Sequence, residues 1–137
     1  MEALFSFGPR VKIHPEQIFY ATASSLAFVN LRPFVPGHVL VCPKRPIANV
    51  CDLELYEFRD LMLVSQRVQI MLSEHYGTTN MHFTIQDGPS AGQSVPHVHV
   101  HILPGTNQEI VQAETEGRPR TLEEMSKEAQ LYRCFLL

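Results

Sequence analysis

The sequence predicts an α+β fold with a mainly antiparallel sheet, one long helix and a C-terminal helix. Three observations lead there: two segments with helical periodicity, several short apolar runs cut off by proline or glycine, and links between those runs that are mostly of hairpin length. Within residues 17–30, Ile18, Phe19 and Tyr20 make one short strand, and Leu26, Ala27, Phe28 and Val29 the next. Pro33 and Pro36 mark a turn, and His38–Cys42 is a strand stopped by Pro43 and Pro46. Residues 53–76 change period. Phe58, Leu61, Met62, Val68, Met71, Leu72 and Tyr76 recur mostly every three or four positions, with Ser65 continuing the stripe. This spacing predicts one amphipathic helix, with Asp52 as its N-cap and Gly77 as its stop. Asn80–Gln86 returns to strand character, residues 86–95 form a loop containing Gly88, Pro89 and Gly92, and His97–Leu103 is a further strand. Residues 104–120 read as a flexible loop. Thr121-Leu-Glu-Glu124 is a capping box opening a last helix that runs to about Phe135.

One domain, residues 1–137, accounts for the length. With 45% hydrophobic and 18% charged residues and a net charge of −3, the chain can bury a core. It lacks the composition of a disordered chain and the basic balance of a general nucleic-acid binder. Cys42, Cys51 and Cys134 are odd in number and irregularly spaced, which fits a reducing compartment better than a disulfide-stapled fold. Met1–Pro9 has no basic stretch before a continuous apolar core, so no signal peptide is expected, and no apolar run is long enough to span a bilayer. Cys134-Phe-Leu-Leu137 formally fits a prenylation box. No polybasic stretch precedes it, so it reads as the end of the C-terminal helix and no membrane partner is expected.

The chemistry concentrates in His97-Val-His99-Val-His101. Strand periodicity points all three imidazoles to one face and Val98, Val100 and Ile102 to the other. His38 is in phase with Leu40 and Cys42 on its own strand, so four imidazoles meet if the two strands are close. An exposed polar face is one reading, but three same-face imidazoles would repel once protonated. A metal site is another. Ligands at i and i+4 lie roughly 13 Å apart along a strand, so one ion cannot take all three. The third reading is phosphate chemistry, in which a neutral imidazole attacks phosphorus and its neighbours donate hydrogen bonds. The loop Gln86–Ser94 favours that reading, because its small residues and neutral donors can cradle anionic oxygens without a lysine. No G-x-x-x-x-G-K run is present.

His97-Val-His-Val-His101-Ile-Leu resembles the histidine-triad motif. The run QDGPSAGQSVPHVHVHILP resembles the fragile-histidine-triad branch of that family, the dinucleoside polyphosphate hydrolases. NLRPFVPGHVLVCPKRP and LEEMSKEAQLYR fit the same branch, so the resemblance runs from Phe5 to Arg133. A His at the third triad position is similar to the hydrolase branches, and the chain has no Trp such as ends the phosphoramidase branch. The resemblance implies a HIT-like fold and cleavage of diadenosine triphosphate to AMP and ADP through a covalent nucleotidyl-histidine. It implies His99 as nucleophile, with His97, His101 and His38 as supporting imidazoles and Gln86 positioning the bridging or leaving oxygen. Asn30 would contact the ribose; Gly92, Gln93, Ser94 and Val95, with Gln86 and His101, would surround the phosphates; Phe5, Phe7 and Leu26 would lie against the base. No tightly bound cofactor or metal is implied, and Mg²⁺ or Mn²⁺ would travel with the substrate phosphates. A homodimer joined edge to edge and a cytoplasmic or nuclear location are also expected. A nucleotide phosphoramidase and a nucleotide-binding signalling module are the alternatives. The loop 104–120 looks shorter than in animal members and lacks their tyrosine. Arg118 and Arg120 in that loop, and Lys44 and Arg45, are expected to be solvated; His14, His75 and His82 are expected to be surface or packing histidines.

Overall fold

Ser25–Val29 (β4) and Val39–Pro43 (β5) are buried at every position and pair antiparallel, which makes them the centre of the sheet. The computed structural model describes residues 4–105 and 118–136. Most of the expected 104–120 loop, and Leu137 of the terminal Cys-Phe-Leu-Leu, lie outside the described residues. Phe5–Phe7 (β1) and Val11–Ile13 (β2) form a small hairpin that the sequence did not signal. Ile18–Ala21 (β3), Met81–Thr84 (β6) and Val100–Pro104 (β7) complete a five-stranded antiparallel sheet of order β3-β4-β5-β7-β6. Leu55–Tyr76 (α1) and Leu122–Leu136 (α2) pack on one side of it. No helix among the described residues is long and apolar enough to cross a membrane.

The two faces of the sheet differ in kind. Ala27, Val29, Val39, Val41, Val100 and Ile102 meet Leu61, Val64, Val68, Met71 and Leu72 of α1 and Met125, Ala129 and Tyr132 of α2 in the main core. On the opposite face Leu26, Phe28, Leu40 and Cys42 are covered by Phe7 and Ile13 of the hairpin. One cross-strand row on this second face runs Phe28–Leu40–His101–Thr84. The apolar patch under the hairpin therefore passes directly into the histidines.

The helices start and stop for local reasons. Gly77 ends α1 in the left-handed region at φ 64°, as the sequence predicts. Asp52 is not the N-cap: it closes a short 3-10 turn, Val50–Asp52, and Glu54 caps α1 instead. The reason is a reciprocal tie two residues on. The Glu54 N–H donates to Glu57 Oε1 at 2.8 Å, and Arg45 Nε donates to Glu57 Oε2 at 2.9 Å. Arg45 is thus a structural partner of a buried carboxylate rather than a solvated cation, and it holds that carboxyl below its ordinary range. At α2 the capping box forms as expected, with the Glu124 N–H donating to Thr121 Oγ1 at 3.1 Å.

Gly37, between the Pro33–Pro36 turn and His38, has φ 84°, and a Cβ there would sit 2.6 Å from Tyr76 Cε2 and 2.9 Å from Pro104 Cγ. Gly37→Ala is expected to lower the unfolding free energy by about 2–3 kcal/mol. Urea titration checks this; a loss under about 0.5 kcal/mol would mean that the turn relaxes freely.

Candidate active site

The expected strand His97–Leu103 begins three residues late, at Val100. The backbone before it is spent elsewhere: the His97 N–H donates to Val95 O at 2.8 Å, and the Val98 N–H to Ile47 O at 2.7 Å. His97 and His99 therefore stand on an extended segment docked against the β5–α1 connection, and only His101 belongs to the ladder. His97 is fully buried, and both its nitrogens are used. The Gly8 N–H donates to Nδ1 at 3.1 Å, so Nε2 carries the proton and donates to Pro43 O at 2.7 Å. His97 latches the hairpin and the end of β5 to the histidine segment.

The remaining imidazoles are oriented by the same logic. His99 Nδ1–H donates to the His97 carbonyl at 2.7 Å, which leaves the lone pair on Nε2. Phe7 packs edge-on to the His99 ring at 5.0 Å. The Phe34 N–H donates to His38 Nδ1 at 3.1 Å, so His38 Nε2–H donates to His101 Nδ1 at 3.0 Å. His101 must then carry its own proton on Nε2, and that buried N–H has no partner among the described residues. The His99 and His101 rings are 4.8 Å apart. A free lone pair and an unpartnered donor thus stand side by side.

All four imidazoles are held neutral. Burial is the largest cause in every case. His38 is lowered to about 3, with His101, His99 and Arg120 adding to the effect of burial. His101 is lowered to about 4, with His99 adding. His97 and His99 are lowered as well, each opposed by its hydrogen bond to a carbonyl.

A cleft of about 250 Å³ opens beside His101 and His38, lined also by Phe34, His82, Thr84, Gln86 and Leu103. Gln86 lies over Gly92, where a Cβ would come 2.4 Å from its Nε2, so the loop needs glycine at φ 96°. Asn30 lies beside His38, its Nδ2 3.4 Å from each ring nitrogen, and its Oδ1 accepts from the Arg32 N–H. The Gln93 side chain is buried and spent inside the loop, accepting from the Gly88 N–H at 2.8 Å and donating to Ala48 O at 2.9 Å. Ser94 is exposed and Val95 packs on the hairpin cluster. A second hollow, beside Phe7, is lined by Arg10, Ser94 and Val95. Phe7 and Leu26 share the hairpin cluster, while Phe5 is exposed.

Three features of the site lie outside the sequence expectations. His82, taken as a surface or packing residue, lines the cleft with Thr84; both are in phase with Gln86 at period two, and that spacing was the available signal. Phe34 stacks on His38 at 5.5 Å and 15°. Arg120 is not solvated: its guanidinium donates to the Asn30 carbonyl and pairs with Glu128. Arg118 meets Glu124 on the surface, His14 caps the turn Pro15–Gln17, and His75 packs on Tyr76, Tyr132 and Phe135. Among the described residues no group of three or more His, Cys, Asp or Glu is placed to hold a metal ion.

Neutral burial gives a signed pH dependence. The folded chain refuses protons that the unfolded chain takes up below the ordinary value of 6.5. Stability is complete above that pH. It is expected to fall on acidification from 6.5 toward about 4 and 3, by up to about 1.4 kcal/mol per pH unit for each imidazole. Urea midpoints at pH 7.5, 6.0 and 5.0 measure it; a midpoint that stays constant would mean the site protonates without resistance.

Residues 11–108 match the HIT domain family. The chain is 46% identical over 130 residues to bis(5'-adenosyl)-triphosphatase of Dictyostelium discoideum, covering 90% of this chain and 87% of that one. It is 42% identical over 149 residues to the bifunctional bis(5'-adenosyl)-triphosphatase/adenylylsulfatase FHIT of Arabidopsis thaliana, covering 94% and 82%. Among solved structures, Plasmodium falciparum diadenosine triphosphate hydrolase in complex with cyclomarin A has a TM-score of 0.86 at 30% identity, over 98% of this chain and 85% of that one. With His101 and His38 on one cleft, His99 packed against His101, and relatives matched over most of their length, this chain belongs to the HIT domain family, in its fragile-histidine-triad branch.

Proposed function

We propose that the protein is a hydrolase that cleaves diadenosine triphosphate to AMP and ADP, with His99 as the nucleophile. The observation that carries this is the pairing of the His99 Nε2 lone pair with the unpartnered Nε2–H of His101, on rings 4.8 Å apart. Relatives named as bis(5'-adenosyl)-triphosphatases support the substrate class.

In the first step the His99 lone pair bonds to the α-phosphorus. The bond from phosphorus to the bridging oxygen breaks, and its electron pair leaves with ADP. The imidazolium so formed keeps its Nδ1–H on the His97 carbonyl, which spreads the positive charge. His101 Nε2–H donates to a phosphate oxygen. Water then attacks phosphorus, the P–N bond returns its pair to His99, and AMP departs as solvent takes the proton. The donor at His101 needs no cation, because its tautomer is fixed by His38. His97 acts through position alone, since both its nitrogens are occupied.

Gln86 reaches toward the scissile oxygen from the cleft wall, and Asn30 meets the ribose. Gly92, Ser94 and Val95 border the phosphates through backbone and small side chains, and Gln93 shapes that loop from within. Among the described residues no carboxylate lines the cleft, and Mg²⁺ or Mn²⁺ would enter with the substrate. Cys42, Cys51 and Cys134 are all unpaired, which suits a cytoplasmic or nuclear location. A dimer joined at the edge strand β6 fits the 46% exposure of Phe83 there.

Mixing the protein with diadenosine triphosphate, quenching in alkali within seconds and weighing the intact chain tests the nucleophile. Wild type is expected to gain one adenylate and release AMP and ADP; His99→Ala should gain none and lose at least about 10³-fold in kcat. Turnover that persists in His99→Ala would remove His99 from that role. Faster cleavage of an adenylyl-lysine phosphoramidate would move the reading to the phosphoramidases. For the dimer, light scattering should give twice the chain mass for wild type and one chain mass for Phe83→Asp; a single-chain wild type would end that part of the proposal.

A further inference from the structure

His38 is flanked on two sides by backbone that the helices hold. On one flank is Asn30, with Nδ2 against the His38 ring. The Asn30 carbonyl accepts from Arg120 Nε at 3.2 Å and from its Nη2, and the Arg120 N–H donates to Leu31 O at 3.0 Å. On the other flank is Gly37, whose backbone lies against the Tyr76 ring. A continuous polar chain joins the flanks from behind. Arg120 pairs with Glu128 at 2.6 Å, the Tyr132 hydroxyl donates to Glu128 Oε2 at 2.6 Å, and the Tyr76 hydroxyl donates to the Tyr132 oxygen at 2.7 Å. The Arg120 and Glu128 side chains are only 17% and 14% exposed, and Tyr132 is fully buried. Groups so far removed from water lose solvation that apolar residues would not lose, and what they gain is fixed direction.

We propose that Arg120, backed by Glu128, Tyr132 and Tyr76, is a positioning residue that holds Asn30 on the ring of His38 and so keeps the His38–His101 pair aimed at the substrate. The inference rests on the triad chemistry proposed above. Arg120 does not touch the cleft; it acts through the Asn30 carbonyl. Its charge works in the same direction. The guanidinium disfavours a proton on His38, together with His101 on β7 and His99 before it, while His82 on β6 faces the same cleft. A neutral His38 is the condition for accepting the Phe34 N–H at Nδ1, the bond that fixes the tautomer and leaves Nε2–H facing His101.

Arg120→Met keeps the stem and removes the fork and the charge. On diadenosine triphosphate, kcat is expected to fall roughly 10- to 100-fold. The acid limb of kcat/KM should move to higher pH, and the slowly exchanging His38 Nε2 proton should vanish from the NMR spectrum of the ligand-free protein. Arg120→Lys should restore the acid limb but not kcat, because a point charge replaces the fork. A folded Arg120→Met with wild-type kcat overturns the proposal, whatever its spectrum. So does a fall in kcat with the His38 signal and acid limb unchanged, which is a merely structural loss. If Arg120→Met fails to fold, Tyr132→Phe removes one hydroxyl and is judged by the same readouts, with an expected fall of about threefold. The spectrum also separates two failures: a wild type inactive on diadenosine triphosphate, whose His38 signal still depends on Arg120, refutes the substrate and leaves the positioning in place.

Discussion

The site depends on backbone groups deciding where four imidazoles keep their protons. The Gly8 N–H and Pro43 carbonyl fix His97, the His97 carbonyl fixes His99, and the Phe34 N–H fixes His38, which in turn fixes His101. None of these partners titrates near neutral pH, so the pattern of lone pairs and donors is a property of the fold. It also explains why distant pieces must be present together. The N-terminal hairpin supplies Gly8 and Phe7, the end of β5 supplies Pro43, and the Pro33–Pro36 turn supplies Phe34. Loss of any one frees an imidazole to take the other tautomer.

Burial makes the arrangement consistent with anionic chemistry. A cluster of cationic imidazoles would attract phosphate, but a protonated His99 has no lone pair to give. Desolvation resolves the conflict by keeping every ring neutral and leaving attraction to N–H dipoles. The same desolvation is why the hairpin matters: Phe7 covers both His97 and His99, at ring distances of 5.3 and 5.0 Å. An open sheet face would hydrate the rings and return them toward 6.5.

The apolar stripe of α1 and the capping box at Thr121 were legible because each is a local pattern with one physical solution; the period-two histidines were legible as a cluster, although His97 and His99 stand before the strand rather than on it. The meeting of His38 with His101 is not local: it depends on β5 and β7 being neighbours, which no spacing in the sequence states. What stayed hidden was set by tertiary contacts. Strands as short as Phe5–Phe7 and Val11–Ile13 show no alternation to read, and their pairing is held by Phe7 on Phe28 and by Gly8 on His97. Asp52 lost the cap to Glu54 because Arg45, twelve residues upstream of Glu57, fixes that carboxylate. Arg120 sits in a stretch whose composition suggests a solvated loop, yet its partner is a carbonyl ninety residues away.

Among the described residues the Nε2–H of His101 is a buried donor without a partner, as Ser25 Oγ and Glu128 Oε1 are buried without a hydrogen bond, and it is the one of the three that belongs to an imidazole of the site. An orphan donor of this kind costs about 1–3 kcal/mol, and no group among the described residues relieves it. Gln86, on the same cleft wall, lies over Gly92 and gives His101 no acceptor. In the proposed reaction an acceptor oxygen of the phosphate would satisfy this donor. That penalty persists only while His38 points its proton at His101. Whatever holds His38, from Phe34 in the cleft wall to Arg120 behind Asn30, therefore acts on binding and on the chemical step together.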